Sequence, residues 1–142
     1  MIDYQRKCIE EQILSYYLPT NAFRFRNIGM SNPYLEAAIE ANDGAVYLLY
    51  FDLAPFPASK PKVYVEQMLK TRDGVDMDSG SHDNHTLKSW NGYTQLCHYN
   101  DDCWTPDVTL WKVYLKCRVW IEAYRAHLRT GCTMLELLKA QV

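Results

Sequence analysis

Cys97 and the residues around it hold the side chains of this 142-residue chain best suited to chemistry. A cysteine thiolate attacks a thioester and then leaves from the next one, so a cysteine alone can carry an acyl group from a donor to an amine. A free thiol of pKa about 8.5 is only a few per cent ionised at pH 7, and a positive or hydrogen-bonding neighbour favours the reactive form. His98 adjoins Cys97 and His85 precedes it by twelve residues, which makes both candidate partners. Leu96 supports the plainer alternative of a small buried hydrophobe at 97. Cys103 is a rival nucleophile, but Asp101 and Asp102 beside it disfavour its thiolate.

Other uses of these residues fit the spacing less well. His82, Asp83, His85, Cys97 and Cys103 are the residue types of a zinc site, yet His82 and His85 form the only tight pair and the cysteines are separated by five residues. The same separation is not the Cys-x-x-Cys of redox pairs. Neither a metal nor a cofactor is called for. The odd, scattered set of Cys8, Cys97, Cys103, Cys117 and Cys132 reads as reduced thiols, with Cys8 and Cys117 on apolar helical faces and assigned to the core.

The elements that must position Cys97 follow from periodicity. With 48% hydrophobic residues, the chain suits a single domain spanning 1–142. Residues 3–18 set Ile9, Ile13, Tyr16 and Tyr17 at helical spacing before Pro19, predicting a first helix whose Arg6 and Lys7 form a solvated face or a partner contact. Phe23 and Phe25 alternate with Arg24 and Arg26 in a strand ending near Gly29. Leu35 to Ala41 and Ala45 to Leu53 flank Asn42-Asp43-Gly44 and predict a hairpin, the second arm covered on both faces. Pro55, Pro57 and Pro61 mark an extended crossing before a strand at Val63 to Val65. Residues 71–106 read as a long irregular loop. Thr105 and Pro106 suit the start of a long helix with the stripe Leu110, Val113, Tyr114, Cys117, Ile121, Tyr124 and Leu128; Gly131 ends it, and Met134 to Lys139 make a short last helix.

Taken in order, Pro55-Phe56-Pro57 with Pro61-Lys62-Val63-Tyr64, then Asn91-Gly92, Cys97 and Trp104-Thr105-Pro106, resembles the ubiquitin-conjugating enzymes over about residues 1 to 130. The LCHYNDDCWTP segment is more similar to divergent bacterial members from antiphage, CBASS-type conjugation operons. The resemblance implies an α+β fold with an N-terminal helix, a four-stranded antiparallel meander, a long loop bearing the active cysteine and a long C-terminal helix. It implies Cys97 as the thioester carrier and Asp101 or Asp102 as the acid that orients or deprotonates an acceptor amine, the alternative being a solvated acidic loop. The family's His-Pro-Asn is reduced to His85-Thr86-Leu87, and Asn84, Asn91, Asn100 and His98 all remain open as substitutes for its asparagine.

The implied partners are an adenylating (activating) enzyme and, as cargo, a ubiquitin-like protein or a cGAS-like nucleotidyltransferase; a non-catalytic binding module of the same fold is the alternative. Ala140-Gln141-Val142 lacks a terminal glycine, so the chain is expected not to be the modifier itself. A net charge of -2 argues against nucleic acid as the main partner. The charged MIDYQRKCIEEQ start and the lack of an apolar run of about 18 residues predict a cytoplasmic protein outside the membrane.

Overall fold

The computed structural model describes residues 1–139; Ala140-Gln141-Val142, on which the expectation about the modifier rests, lies outside them. The chain begins with helix α1 (Tyr4–Tyr17), started by Asp3, whose carboxylate accepts the Arg6 N–H at 2.7 Å. Strands β1 (Phe23–Arg26), β2 (Tyr34–Glu40), β3 (Val46–Asp52) and β4 (Lys62–Val65) follow as an antiparallel meander. Two more strands, β5 (Thr86–Trp90) and β6 (Tyr93–Leu96), precede helices α2 (Leu110–Thr130) and α3 (Met134–Lys139). The result is an α+β fold with one six-stranded antiparallel sheet in the order β1-β2-β3-β4-β6-β5 and, among the described residues, three α-helices.

The expected four strands are therefore six, because the segment 71–106 contains a hairpin. Asn91 and Gly92 both have positive φ, 54° and 74°, as a two-residue hairpin turn requires. Their flanks escaped notice because β5 sits at the sheet edge and leaves only Thr86 buried, so Thr86-Leu87-Lys88-Ser89-Trp90 shows little apolar alternation.

The hydrophobic core lies between one face of this sheet and the helices. Leu35, Ala37, Ile39, Leu49, Phe51, Val63, Val65 and Leu96 pack there with Leu14 of α1 and with Leu110, Val113, Cys117, Trp120 and Ile121 of α2. Burial pushes the Cys117 thiol pKa upward, as expected for a packing residue. Among the described residues the opposite face carries no helix, so β3 is covered on one side only: Tyr47, Leu49 and Phe51 are buried while Val46 and Leu48 are exposed, correcting the two-sided expectation.

Two further readings change at the helices. On α1 the apolar stripe does not face the core: Ile9 and Tyr16 are 47% and 83% exposed, whereas Glu10 and Leu14 are buried, and Cys8 is exposed instead of packed. Glu10 goes inward because its carboxylate accepts the Leu110 N–H at 2.7 Å and the Arg6 Nε at 2.8 Å. Helix α2 starts at Leu110, capped by the Thr109 hydroxyl accepting the Lys112 N–H at 3.2 Å. Thr105 and Pro106 belong to the preceding turn, in which the Val108 N–H meets the Thr105 carbonyl at 3.1 Å. Gly131 ends α2 as predicted, at φ 79° in the left-handed region. No described helix is long and apolar enough to cross a membrane.

Candidate active site

Cys97 is the first residue beyond β6, where the strand gives way to the loop that leads to α2. Its backbone N–H donates to the His85 carbonyl at 2.9 Å, which extends the β5–β6 pairing by one rung and brings the two sequence-selected residues side by side. The same carbonyl accepts the Trp120 indole N–H at 2.9 Å, so α2 holds the His85 backbone from behind. Cys97 is half-buried and its thiol is free.

His85 reaches this position through a left-handed turn, φ 52°, whose N–H meets the His82 carbonyl at 3.3 Å. Its ring stacks against His82 with centroids 5.8 Å apart, and its Nε2 is buried without a partner among the described residues. Burial, and secondarily the charge of His82, lowers the His85 pKa. His98 is more deeply enclosed: Nδ1 lies 3.4 Å from the Leu96 carbonyl, which assigns the proton to Nδ1 and leaves Nε2 a buried lone pair with no donor among the described residues. Burial lowers its pKa to about 4, with the Lys60 charge adding to the shift and the Leu96 carbonyl and Asp101 opposing it. Both histidines beside Cys97 are thus neutral at pH 7, and any assistance they give the thiol comes through hydrogen bonding and not through charge.

The acids sit on the solvent side of the loop. Asn100 Oδ1 accepts the Asp102 N–H at 2.9 Å and starts a single 3₁₀ turn over Asp101–Cys103. Asp101 pairs with Lys60 at 3.1 Å, whereas the Asp102 carboxylate has no hydrogen bond or ion pair among the described residues. Of the asparagines weighed as substitutes, Asn100 is committed to this cap and Asn91 to the hairpin turn at the far end of β5 and β6 from Cys97. Cys103 is exposed at the end of the 3₁₀ turn. No group of three or more His, Cys, Asp or Glu side chains among the described residues is arranged to hold a metal ion.

Three side chains hold this loop, Lys60, Trp104 and Arg6, of which only Lys60 was not singled out from sequence. Lys60, in the proline-rich crossing, donates to the Tyr99 carbonyl at 2.6 Å while it pairs with Asp101. The Trp104 indole N–H reaches back to the Pro57 carbonyl at 3.0 Å, and its ring meets Phe56 and Tyr99 edge-on at 6.0 Å and 5.4 Å. Arg6, expected on a solvated face, instead donates to the carbonyls of Pro106 at 2.8 Å and Val108 at 3.0 Å and lies 4.9 Å over the Phe56 ring. Lys7 pairs with Glu11 at 3.0 Å. A lysine between two prolines carries no sequence mark of such a role, and Arg6 becomes legible only once α1 is known to face the start of α2.

No protein-family model, no curated protein and no solved structure matches this chain.

Proposed function

We propose that this chain is an acyl-carrier transferase of the ubiquitin-conjugating type, in which Cys97 accepts the C-terminal carboxyl of a protein from an adenylating enzyme and passes it to an amine. The Cys97 thiolate attacks the donor's thioester carbonyl, a new C–S bond forms, and the donor's cysteine leaves as a thiolate. An acceptor amine then attacks the Cys97 thioester; the C–N bond forms, the Cys97 thiolate leaves, and the amine proton passes to a base. Asp102, with its carboxylate uncommitted, suits that last role better than Asp101, which is paired with Lys60. Cargo, either a ubiquitin-like protein or a cGAS-like nucleotidyltransferase, and an antiphage setting follow from the motif resemblance of residues 55–106.

One observation carries this reading: the backbone at Cys97 is fixed by the His85 carbonyl, and the loop beyond it by Lys60 and Trp104, through bonds none of which uses the thiol. A held backbone with a free, half-buried thiol is what precise acyl transfer needs. The test is to incubate the chain with its genomic-neighbour adenylating enzyme, ATP and candidate cargo, and to run a non-reducing gel. A thiol-sensitive adduct is expected from wild type, a thiol-resistant oxyester from Cys97→Ser, and the wild-type pattern from Cys103→Ser. An adduct that survives Cys97→Ala removes Cys97 from the role. The second reading, a non-catalytic module of the same fold, is favoured by the lowered pKa values of His85 and His98, which give Cys97 no histidinium beside it at pH 7. It predicts that Cys97→Ala retains biological function.

A further inference from the structure

The helix-free face of the sheet carries aromatic rings that the core does not use. Tyr50 of β3 stacks on Tyr34 at 4.6 Å and touches Trp90 of β5 at 5.6 Å, tilted by 39°. Tyr64 of β4 meets Trp90 at 5.5 Å and 51°, and Tyr50 at 6.3 Å and 65°. Ring planes inclined in this way form the walls of a hollow, unlike a flat stack. A cavity of about 290 Å³ opens here, lined by Tyr50, Tyr64 and Trp90 together with Asn32, Asp52 and Lys62. Trp90 remains 49% exposed, so a face of its indole is still available.

The polar groups of this cavity define what it accepts. Asp52 takes one backbone N–H, from Ala54 at 3.0 Å, and has no ion pair within the described residues, although β3–β4 pairing sets Lys62 across from it. Its negative charge is felt at both phenols, where it adds to burial in raising the Tyr50 and Tyr64 pKa values. The Trp90 and Tyr50 rings beside a carboxylate with no ion pair among the described residues attract a positive group, with the Lys62 ammonium across the strand pair as the opposing charge in the lining. The volume is at the low end for ligand sites, which suits a compact head group and excludes a large heterocycle.

We propose that the cavity bounded by Tyr50, Tyr64, Trp90 and Asp52 binds an organic ammonium group, primary or methylated, with the ring faces around the cation and the carboxylate beside it. This site is independent of the acyl-transfer reading, because its test is binding alone. The full chain, labelled with ¹⁵N, is titrated with choline chloride and with 3,3-dimethylbutan-1-ol, its uncharged carbon counterpart, at constant ionic strength, following the Trp90 indole N–H resonance. Choline is expected to shift that resonance saturably, and the uncharged alcohol to bind about tenfold more weakly or not at all. Trp90→Leu, followed through the backbone N–H resonances of Tyr50 and Tyr64 in place of the lost indole, is expected to weaken choline binding by about tenfold and Asp52→Asn by several-fold, with the remaining indole resonances showing that each variant is folded. Peptides bearing lysine or trimethyl-lysine distinguish the source: binding tighter than that of choline assigns a protein side chain, and equal or weaker binding assigns a free amine. Equal affinity for the alcohol, no saturation by choline, or unchanged binding in both folded variants overturns the proposal.

Discussion

Replacing Glu10 should destabilise the protein more than any other single change to a charged residue in α1. Its carboxylate is fully buried, with one oxygen on the Leu110 N–H and the other on the Arg6 guanidinium, so Glu10→Ala strands a helix-start N–H and half of a buried ion pair. Breaking such a pair from one side costs about 3–5 kcal/mol. Arg6 keeps the carbonyls of Pro106 and Val108, which brings the expectation to the lower end, about 3 kcal/mol. At about 3 °C per kcal/mol for a chain of this size, the melting temperature should fall by about 9 °C. Glu10→Gln keeps an acceptor for Leu110 but opposes an amide N–H to Arg6, and should cost about half as much. Thermal and urea unfolding followed by circular dichroism measure both variants, and the pair Arg6→Met with Glu10→Leu should recover part of the loss. A fall below about 2 °C for Glu10→Ala would refute the view that Glu10 fastens α1 to the start of α2.

Two other outcomes follow from the geometry. His98 has a folded pKa of about 4 against an ordinary 6.5, so the stability held by its neutral form is complete above pH 6.5 and drains away as pH falls toward 4. Linkage gives a loss of about 2 kcal/mol by pH 5; His98→Leu should abolish that part of the acid sensitivity in urea titrations at pH 7.5 and pH 5, and an unchanged pH difference would contradict it. Gly131→Ala should cost about 1 kcal/mol, because φ is 79°; the added Cβ would also lie 2.6 Å from Arg72 Nη1, the movable end of a long side chain. The Arg72 end is flexible, so Gly131→Ala should cost as much in an Arg72→Ala background; recovery there would show that contact, and not backbone strain, sets the loss.

What the sequence disclosed tracks where local rules and tertiary packing agree. The β2–β3 hairpin carried alternation and turn residues together, and the stripe of α2 from Leu110 to Tyr124 is buried as its spacing requires. Discrepancies arise where a distant contact overrides the pattern. Glu10 is buried because Leu110, a hundred residues away in sequence, offers it a hydrogen bond, and no periodicity in α1 contains that fact. Helix α2 starts after Thr109 and not at the Thr105-Pro106 that the sequence predicts; the Arg6 bonds to Pro106 and Val108 accompany the later start. Around Cys97 the residue types were legible, but its tie to His85 depends on the β5–β6 hairpin, of which only the Asn91-Gly92 turn was visible.

Four separate elements hold the path from Cys97 to α2, and this bears on what the cysteine is for. The β5 side supplies the His85 carbonyl, itself braced by Trp120 of α2; the proline-rich crossing supplies Lys60 and the Pro57 carbonyl; α1 supplies Arg6. Every one of these bonds is made by backbone or by residues other than Cys97, and none of the core packing that encloses Cys117 extends to it. A cysteine kept for packing would lose stability when its sulfur is changed, as Cys117 must. Cys97→Ser instead changes one half-buried atom whose removal breaks no anchoring bond, so its cost should stay within about 0.5 kcal/mol. Stability and the proposed acyl transfer are then separable in this loop: changes at Arg6, Lys60 or Trp104 should register first in melting, while a change at Cys97 should leave melting nearly unchanged and register in the proposed transfer.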